Sequence, residues 1–459
     1  MEWPEQLARF GESVAGSVSG PCGDLRRLAL ALALTGLEAA DPGTATRRCV
    51  SYNPTIDTIQ VDGVDYGLAT RAKVWVVGAG KASYPIAAAL EEILGDRIAG
   101  GVVAVRDPAV NPLRHVTVLA SDHPLPTSRS VEAAVQILGV AEQAVEGDLV
   151  IACFTGGSSA LASLPPSQVS AADKRALHEV MLSSGLAITE INAVRKSVSA
   201  FKGGRVALVA APATVVNLTV SDVTGSPLDA ITDPTVQDTA TAAYARSVIK
   251  AKGIWGSIPE SVRLHLEQDL ATPRLPREPQ TVMLADGRSP VAAMAAAAGK
   301  LGSRVVTVDS DVEGEADVVG TRLACRLIDE VDQSPKSRVI LLGCGGESVV
   351  TVDDPKTFSM GGPNQHAALR AAGVLRGRRA AAVFIDTDGS DGGTEFAGAL
   401  VDGWTSDLAI ERGVDVPSAL AQRRSSGACE ALDATIRTGH TGTNVNDLFV
   451  LVGEEGVLS

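Results

Sequence analysis

The chain has 459 residues, of which 45% are hydrophobic and only 3% aromatic, and its formal net charge is −14. This length exceeds what one ordinary hydrophobic core holds, so two domains are expected, and the apolar content argues against a disordered chain. The acidic balance argues against nucleic acid or an anionic membrane as the main partner, although a local cluster of Arg and Lys can still bind a small anion. Abundant Ala, Val, Leu and Gly favour parallel strands covered by helices.

The cysteine pattern and the lack of a targeting signal indicate the compartment. Six cysteines are scattered along the chain without metal-ligand spacing, which predicts free, buried thiols in a reducing cytoplasm. The sequence opens with no basic-then-apolar signal, and its nearest approach to a membrane segment, residues 29–37, is too short to span a bilayer. We therefore expect a soluble cytoplasmic protein.

The first strand–turn–helix unit begins at residue 74. Residues 74–77 are predicted to be a strand, and the turn Gly78-Ala79-Gly80-Lys81 leads into a helix. Gly78 and Gly80 fit the first two positions of the dinucleotide fingerprint G-x-G-x-x-G, but the third position is Ser83. Two interpretations stay open for Lys81, a solvated side chain after a tight turn or a ligand for phosphate or carboxylate.

A second glycine turn follows the apolar run of residues 148–154. Thr155-Gly156-Gly157-Ser158-Ser159 puts small residues where backbone N–H groups can approach an anion, and either serine could instead cap the next helix. A serine-hydrolase elbow is excluded because Ala160 occupies the place of its last glycine. The stiff loop before this strand holds His123, for which a purely structural role stays open.

Basic residues are concentrated after this turn. If residues 186–202 form one helix, Asn192, Arg195 and Lys202 fall near one face, either as a solvated surface or as an anion site. The next predicted strand, residues 215–220, ends at Asp222, and the carboxyl ends of parallel strands are where open α/β sheets bind ligands.

The second half of the chain repeats the alternation of helices and strands. Residues 271–280 are rich in proline and charge and are predicted to be an interdomain linker. Beyond them, Gly345-Gly346-Glu347 forms another glycine turn, and a strand at 381–385 runs into the acidic segment 386–392. This segment lacks the closing glutamate of a calcium loop. A divalent-metal or nucleotide site is favoured there over a plain turn.

The order and spacing of these motifs resemble the glycerate 2-kinase family, of the MOFRL and DUF4147 type, whose members also carry the older name hydroxypyruvate reductase. The resemblance covers most of the chain. It is carried by Gly78–Ala82, Asp122–Pro126, Thr155–Ser159, Asn192–Lys196, Lys202–Arg205, Ser221–Val223, Gly314–Ala316, Gly345–Glu347, Gly361–Gln365, Thr387–Gly392 and Thr441–Asp447.

The resemblance implies two α/β domains, each with a mostly parallel sheet flanked by helices, and an active site in the cleft between them. Residues 1–270 would form a larger Rossmann-like domain and residues 281–459 a MOFRL-like domain, joined by the linker 271–280. It implies transfer of a phosphoryl group from ATP, with Mg²⁺, to a hydroxyl of a small hydroxy acid such as glycerate. It leaves a homodimer open.

The same resemblance implies the site residues by their positions in this sequence. They are, for catalysis, Lys81, Arg195 and Asp222; for the acid or its phosphate, Gly80, Gly156, Gly157, Ser158, Ser159 and Lys202; for the nucleotide, Gly345, Gly346, Glu347, Asn364 and Asn444; and for the metal, Asp388 and Asp391. Two alternatives stay open: an NAD(P)-dependent hydroxypyruvate reductase, and a divergent homologue with altered or lost kinase activity.

The chain departs from the family pattern at residues 359–366. Met360 and Pro363 stand where the family has arginines, and His366 replaces an acidic residue. Arginine is a common stabiliser of charge on a transferring phosphoryl group. Either another basic residue such as Arg370 substitutes, or the acceptor differs, or kinase activity is lost. A further departure is Asp233, an acid where small residues are expected.

Overall fold

The computed structural model describes residues 20–106, 112–123, 125–221, 232–308, 312–346, 348–351 and 361–458. Its contacts divide the chain into two compact units. The N-terminal unit comprises the described residues of Pro42–Val220 and Gly225–Leu284, and the C-terminal unit comprises those up to Asp41, those of Ser221–Thr224, and those of Ala285–Ser459. This division differs from the predicted boundaries, because the first helix belongs to the C-terminal unit.

That first helix, α1 (Gly23–Ala39), is mostly apolar, and 12 of its 17 residues are buried. Its leucines and alanines share a core with strands of the C-terminal unit. A buried salt bridge of 3.1 Å joins Arg26 to Asp402, and Arg26 also donates to the carbonyl of Leu400 at 3.2 Å. A buried charge stays paired, so this bridge fixes where the helix packs.

The N-terminal unit begins with a short helix and a small antiparallel sheet. These elements are α2 (Pro42–Cys49), β1 (Val50–Asn53), β2 (Thr58–Val61) and β3 (Val64–Gly67). Cys49 immediately precedes β1 and is half-buried.

A six-stranded sheet forms the centre of the N-terminal unit, with the order β6-β5-β4-β7-β8-β9. All four recorded pairings among β4 to β8 are parallel, as predicted. Its elements in chain order are β4 (Val74–Ala79), α3 (Ser83–Leu94), β5 (Ile98–Val105), β6 (Val116–Ala120), α4 (Ser128–Ala141), β7 (Leu149–Phe154), α5 (Ser158–Leu161), α6 (Ala171–Leu182), α7 (Ile188–Ser197), α8 (Arg205–Ala210), β8 (Thr214–Val220), α9 (Ala242–Ala251), α10 (Glu260–Glu267) and β9 (Gln280–Ala285).

The last strand of this sheet bears on the predicted linker. Strand β9 starts at Gln280, the final residue of the segment predicted to join two domains, and it forms an edge of the N-terminal sheet. Leu275, inside that segment, packs against the core of the same unit, and its backbone N–H donates to Gln237 at 2.8 Å. Residues 271–280 therefore pack on the N-terminal unit.

The C-terminal unit has a mixed sheet with the order β10-β12-β17-β14-β15-β16. Among the described pairings of this sheet, that of β10 with β12 is parallel and the other four are antiparallel, so the prediction of a mostly parallel second sheet is wrong. The elements are α11 (Arg288–Gly299), β10 (Arg304–Thr307), β11 (Gly314–Glu315), α12 (Ala316–Asp332), β12 (Val339–Gly345), β13 (Ser348–Val349), α13 (Pro363–Leu375), β14 (Arg378–Asp386), β15 (Gly398–Asp402), α14 (Thr405–Arg412), α15 (Val416–Ala421), α16 (Ser425–Ala431), β16 (Thr435–Ile436) and β17 (Asp447–Val457).

The antiparallel pattern arises because the last strand of the chain lies in the middle of the sheet. Strand β17 pairs with β12 on one side and β14 on the other. Helices cover both faces of this sheet, with α1 and α11 in one core and α12 and α13 in the other. Both faces of the central strands are thus apolar, which is the pattern that suggests parallel strands in a sequence.

Within the part of the chain that the structure describes, no helix combines the length and apolar character needed to span a bilayer. All six cysteines are unpaired, and four of them are buried.

Candidate active site

Two glycine turns meet at the carboxyl edge of the N-terminal sheet. Gly80 follows β4 with a φ of +140°, and a Cβ added there would lie 2.1 Å from Oγ1 of Thr155, which follows β7. Hydrogen bonds join the two turns, from the backbone N–H of Ala82 to Thr155 Oγ1 at 3.1 Å and from that of Lys81 to the carbonyl of Gly156 at 2.9 Å. Only glycine permits this approach at position 80.

Lys81 and His123 both reach the second turn. Gly157 is in the left-handed region with a φ of +84°, and a Cβ added there would lie 3.2 Å from the His123 ring and 3.7 Å from Lys81 Cγ. Both side chains are partly exposed. The structure therefore brings Lys81 and His123 together with the predicted small-residue turn.

The serines of this turn do not cap a helix. The N-cap of α5 is Gly157, no side chain bonds its first N–H groups, and the helix has only four residues. A helix this short has little dipole to offer an anion. Oγ of Ser159 is buried and has no hydrogen-bond partner among the described residues. The hydroxyl groups of Ser158 and Ser159 are therefore not used for helix capping.

The predicted helix 186–202 is shorter than expected. Helix α7 ends at Ser197, and the Ser199 hydroxyl then accepts from the backbone N–H groups of Phe201 and Lys202 at 3.1 and 3.0 Å. Serine forms such local turns readily. The proposed common face with Lys202 therefore does not exist.

Lys202 is buried instead of facing a substrate. It is 1% exposed, and its Nζ donates to the carbonyls of Ser159 at 2.9 Å and Ala162 at 3.2 Å. These contacts hold the segment that follows the glycine turn. We correct the predicted role of Lys202 from direct binding of the acid to positioning of residues 159–162.

Two further basic residues, which the sequence reasoning missed, lie one turn apart on α6. Lys174 is 3% exposed and donates to the carbonyl of Leu164 at 3.3 Å, while His178 is 4% exposed and its Nε2 has no partner in the described part of the chain. Burial, with repulsion from nearby Arg195, lowers the pKa of Lys174 to about 7 and that of His178 to about 3.

These residues belong to one group, which we call the buried basic cluster: Lys174, His178, Arg195, Lys202 and Arg205. Burial, together with the charges of Lys174 and Arg195, also lowers the pKa of Lys202 well below its ordinary value. The carboxylate of Asp238 binds Lys196 at 2.8 Å and favours the charged form of Arg205, whose pKa burial lowers. The spacing of positions 174 and 178 was the available signal, because it puts both on one helix face.

The two acidic residues singled out near β8 have different outcomes. Asp222 lies outside the described residues. Asp233 is buried, and its carboxylate accepts from the backbone N–H and hydroxyl of Thr235, both at 2.7 Å, and from Nδ2 of Asn217 at 3.0 Å. Asp233 therefore has a structural role, because its carboxylate links its own loop to Asn217 of β8.

In the C-terminal unit, three polar loops start from one edge of the sheet. Asp447, the first residue of β17, pairs in register with Gly345 at the end of β12 and with Asp386 at the end of β14. Gly345 and Gly346 permit close packing, since added Cβ atoms would lie 2.5 Å from the Val312 carbonyl and 2.6 Å from the Glu313 side chain. Glu347 lies outside the described residues.

Asp391 is placed differently from the prediction. Its Oδ1 accepts from the backbone N–H of Asn364 at 2.9 Å and from Nδ2 of the same residue at 3.3 Å, and its Oδ2 accepts from the N–H and Nε2 of Gln365, both at 2.9 Å. A carboxylate has about four lone-pair sites, and these four bonds fill them. The buried Asp391 thus anchors the N-terminus of α13, and we correct its predicted role as a metal ligand.

The predicted metal pair therefore does not fit Mg²⁺ as a pair. Asp388 is partly exposed, and its Oδ1 accepts from the backbone N–H of Ser390 at 2.9 Å. Across the residues that the structure describes, no group of three or more His, Cys, Asp or Glu side chains is arranged to hold a metal ion.

Asn364 makes further contacts within the unit. Besides binding Asp391, its Nδ2 donates to Asp447 at 2.6 Å, and the residue is 1% exposed. The backbone N–H and the hydroxyl of Ser348 donate to the other oxygen of Asp447, both at 2.9 Å. Burial is the main cause that raises the pKa of Asp447 to about 7 and that of Asp391 to about 6. Asn444 is buried, and its Oδ1 accepts from the N–H of Asn446 at 3.2 Å.

We expect Asp447→Asn to destabilise the protein less at about pH 8 than at about pH 5. Because the folded pKa lies above the unfolded value of 3.8, the contribution of Asp447 is fully present below about pH 4 and is lost as the pH rises through about 7. Asparagine does not titrate, so the difference in the free energy of unfolding between the parent protein and the variant shrinks as the pH rises. Calorimetric unfolding at both pH values measures it.

The control for this experiment is Asp332→Asn, which removes an exposed carboxylate paired with Arg378 in the same unit. We expect the destabilisation caused by that variant to be similar at the two pH values. A destabilisation by Asp447→Asn that is equal at the two pH values would contradict the assigned direction.

A charged cluster surrounds the first turns of α13, beside the segment that departs from the family pattern. Oδ1 of Asp317 accepts from Nε of Arg370 and from Nε2 of His366, the latter at 2.8 Å, and Oδ2 accepts from NH1 of Arg423 at 3.1 Å. Burial opposes ionisation of Asp317, but these donors outweigh it and lower its pKa to about 2. Burial lowers the pKa of His366, which favours its neutral form. The two arginines and the Asp317 carboxylate then leave one positive charge in excess.

The arginine missed by the sequence reasoning is Arg423, which lies beside the glycine turn. A Cβ added at Gly361 would lie 3.1 Å from the Arg423 carbonyl and 2.3 Å from Oγ of Ser425. Pro363 occupies the first turn of α13, a position that suits proline because no backbone N–H is needed there. Met360 lies outside the described residues.

Comparisons with known proteins agree with this arrangement. Residues 28–267 match the family described as "Domain of unknown function (DUF4147)", and residues 339–447 match the MOFRL family. A protein of Pyrococcus horikoshii named "Glycerate 2-kinase" is 34% identical over 94% of this chain and 97% of its own length. One of Agrobacterium vitis named "Putative hydroxypyruvate reductase" is 36% identical over 83% of this chain and 88% of its own.

A solved structure extends the similarity to the fold. The crystal structure of a glycerate kinase from Thermotoga maritima superposes with a TM-score of 0.80 at 29% identity, covering 94% of this chain and 99% of the other. The likeness therefore spans both units and is not confined to a shared motif.

Proposed function

Since the chain belongs to the glycerate 2-kinase family, we propose that it transfers the γ-phosphate of ATP to a hydroxyl group of a small hydroxy acid, glycerate or a related sugar acid. The observation that carries this proposal is the meeting of Lys81, His123 and the Gly156–Gly157 turn at the carboxyl edge of a parallel sheet. Ligands of open α/β sheets bind at such edges.

The N-terminal unit is assigned the acid and the phosphoryl group that it receives. Phosphoryl transfer depends chiefly on positioning and on neutralising the charge of the transferring group. Lys81 supplies an ammonium at the turn, and Arg195 supplies a guanidinium from α7. Asp222, which follows β8 in the chain, is kept as the candidate base because a carboxylate at a strand end can accept the proton of the attacking hydroxyl.

The C-terminal unit is assigned the nucleotide. Its polar sheet edge carries Gly345, Gly346 and Asn444, and the Asp386–Gly392 segment, a run of small and acidic residues, starts from the same edge. ATP brings Mg²⁺ on its phosphates, and such ions keep most of their water and use one or two protein carboxylates. Of the predicted pair, Asp388 is retained as the candidate ligand because it is partly exposed.

The rival activity is an NAD(P)-dependent reductase, which the older name of some relatives suggests. The third glycine of a dinucleotide turn allows a helix to pack closely on a strand. Here Ser83 holds that place, is fully buried, and donates to the Cys153 carbonyl at 2.7 Å. This hydrogen bond closes the turn without a dinucleotide.

We expect Mg-ATP to raise the melting temperature of the purified protein and NADH to leave it unchanged. A ligand that binds only the folded state must stabilise it, by an amount that grows with ligand concentration. A coupled assay for ADP, with ATP and a panel of three- and four-carbon hydroxy acids, then tests the reaction. Stabilisation by NADH without any effect of Mg-ATP, together with hydroxypyruvate-dependent NADH oxidation, would establish the reductase instead.

A further inference from the structure

The buried basic cluster gathers several basic side chains whose burial disfavours their charged forms. Burial is the first cause of the lowered pKa values of Lys174, His178 and Lys202. Repulsion from neighbouring basic residues, Arg195 among them, adds to each of these shifts. Within the described residues no carboxylate pairs with any of these four groups. Burying unpaired charge is unfavourable, so a bound anion would stabilise the whole cluster at once.

The two lysines of the cluster already have neutral partners. All three carbonyls that accept from them, those of Ser159, Ala162 and Leu164, belong to the short segment that follows the glycine turn. Lys174 and Lys202 therefore position this segment.

In and beside the cluster, three of the buried side-chain atoms that lack a partner are of a kind that binds oxyanions. They are Oγ of Ser159, Nε2 of His178 and Nε of Arg195, all buried and without a hydrogen bond among the described residues. His178 is 4% exposed, so its ring nitrogen has no solvent to compensate it. Buried polar atoms are rarely left unsatisfied unless a ligand or a water completes them.

The Nε side of the Arg195 guanidinium is the side that lacks a partner among the described residues. NH1 donates to Oδ1 of Asn192 at 3.2 Å, which fixes the plane of the group and leaves the Nε side for a second partner. Arginine binds carboxylates through two parallel N–H donors. Arg195 and Ser159 are partly exposed, whereas His178 and the two lysines are buried.

We propose that Ser159, His178 and Arg195 bind the carboxylate of the hydroxy acid, and that Lys174 and Lys202 are positioning residues that hold the Ser159–Leu164 segment for it. This assignment rests on the proposed kinase function, and it adds His178 as a specificity-determining residue. One guanidinium and two neutral groups suit a monoanionic carboxylate better than a dianionic phosphate, which would require more cations in direct contact.

The test compares His178→Leu with His178→Gln. Leucine removes the ring nitrogen, while the glutamine amide replaces it with a donor at a similar reach. For His178→Leu we expect KM for D-glycerate to rise at least about tenfold, the usual effect of losing a hydrogen bond to a charged group, with KM for ATP unchanged. His178→Gln should restore most of the loss. A merely structural role would change both KM values together.

A binding measurement separates this proposal from the kinase function. In the absence of nucleotide, D-glycerate should raise the melting temperature of the parent protein, and glycerol, which lacks the carboxylate, should not. His178→Leu should abolish that shift. Because no ATP is present, this result stands even if no kinase activity is found with any acceptor.

The matched control is Arg175→Ala. Arg175 neighbours Lys174 on α6 but is exposed and pairs with Glu179 at 3.0 Å, so its loss should change neither KM nor the melting shift. Stabilisation by inorganic phosphate that His178→Leu abolishes, without stabilisation by D-glycerate, would overturn the carboxylate assignment. An unchanged KM for D-glycerate in a natively folded His178→Leu protein would also overturn it.

Discussion

Lys81→Ala is expected to lower turnover at least about tenfold while the melting temperature changes by only a few degrees. Its side chain stands beside the Gly157 turn and is partly exposed, so its removal leaves no buried cavity. The bond that ties its turn to Gly156 comes from the backbone N–H, which alanine retains. Under the proposed function, the variant loses a positive charge that would stabilise the transferring phosphoryl group, and such groups contribute strongly to transfer rates.

The chain offers a matched control on the same strand. Lys73 directly precedes β4, at the amino edge of the sheet, and its Nζ lies 5.4 Å from the centre of the Trp75 ring. Lys73→Ala removes the same charge from the same unit but from the opposite end of the strand, so turnover should be retained. Steady-state kinetics and thermal unfolding of both variants measure the contrast. If Lys81→Ala folds normally and turns over as fast as the parent, Lys81 has no catalytic role.

The N-terminal unit was largely predictable because its signals are local in sequence. A buried strand, a glycine turn and a helix follow one another directly around Gly80, and again around Gly157, and parallel topology then brings both turns to one edge. The buried basic cluster was only half predictable. Arg195 stood in a dense basic segment, whereas Lys174 and His178 lie in a helix with an ordinary polar pattern, and their burial depends on contacts distant in sequence.

The C-terminal unit shows where such reasoning fails. The apolar runs of β12 and β14 fit parallel neighbours equally well, and nothing local indicates that β17 enters between them. Helix α1 is apolar enough to pack on either sheet, and the partners that it has, such as Asp402 for Arg26, are far away in the chain. Asp391 looked like a metal ligand because an acidic, glycine-rich loop suits both a metal and a helix anchor. Only its four hydrogen bonds distinguish the two.

Arg423→Asn is expected to lower turnover at least about tenfold, because Arg423 is the basic residue best placed to substitute for the arginines absent at Met360 and Pro363. The backbone of Arg423 abuts Gly361, and its guanidinium is held by Asp317 over the first turns of α13. The backbone of α13 does not offer this charge, since its N-terminal N–H groups at Asn364 and Gln365 already bind Asp391.

Asparagine is the informative replacement because Arg423 has a φ of +58°, in the left-handed region. Asparagine tolerates that conformation better than most residues, so the variant loses the guanidinium without added backbone strain. The control is Arg424→Asn, which removes the same charge from an exposed neighbour and should leave turnover unchanged. Kinetics with D-glycerate and ATP, alongside thermal unfolding, compare the two.

The comparison of these variants separates a substituting arginine from a changed acceptor as the explanation for the missing arginines. A selective loss in Arg423→Asn means that positive charge reaches the phosphoryl group from the Gln422–Ser425 segment, so kinase chemistry has been kept with a relocated arginine. Equal turnover of the parent and both variants on D-glycerate would show that the Gly361 turn needs no cation. No turnover of D-glycerate in any of the three proteins, with good turnover of another acid, would assign the changes at positions 360 and 363 to the choice of acceptor. In that case Arg370 and His366, which share Asp317 with Arg423, are the next side chains to test, because they are bound to the same carboxylate.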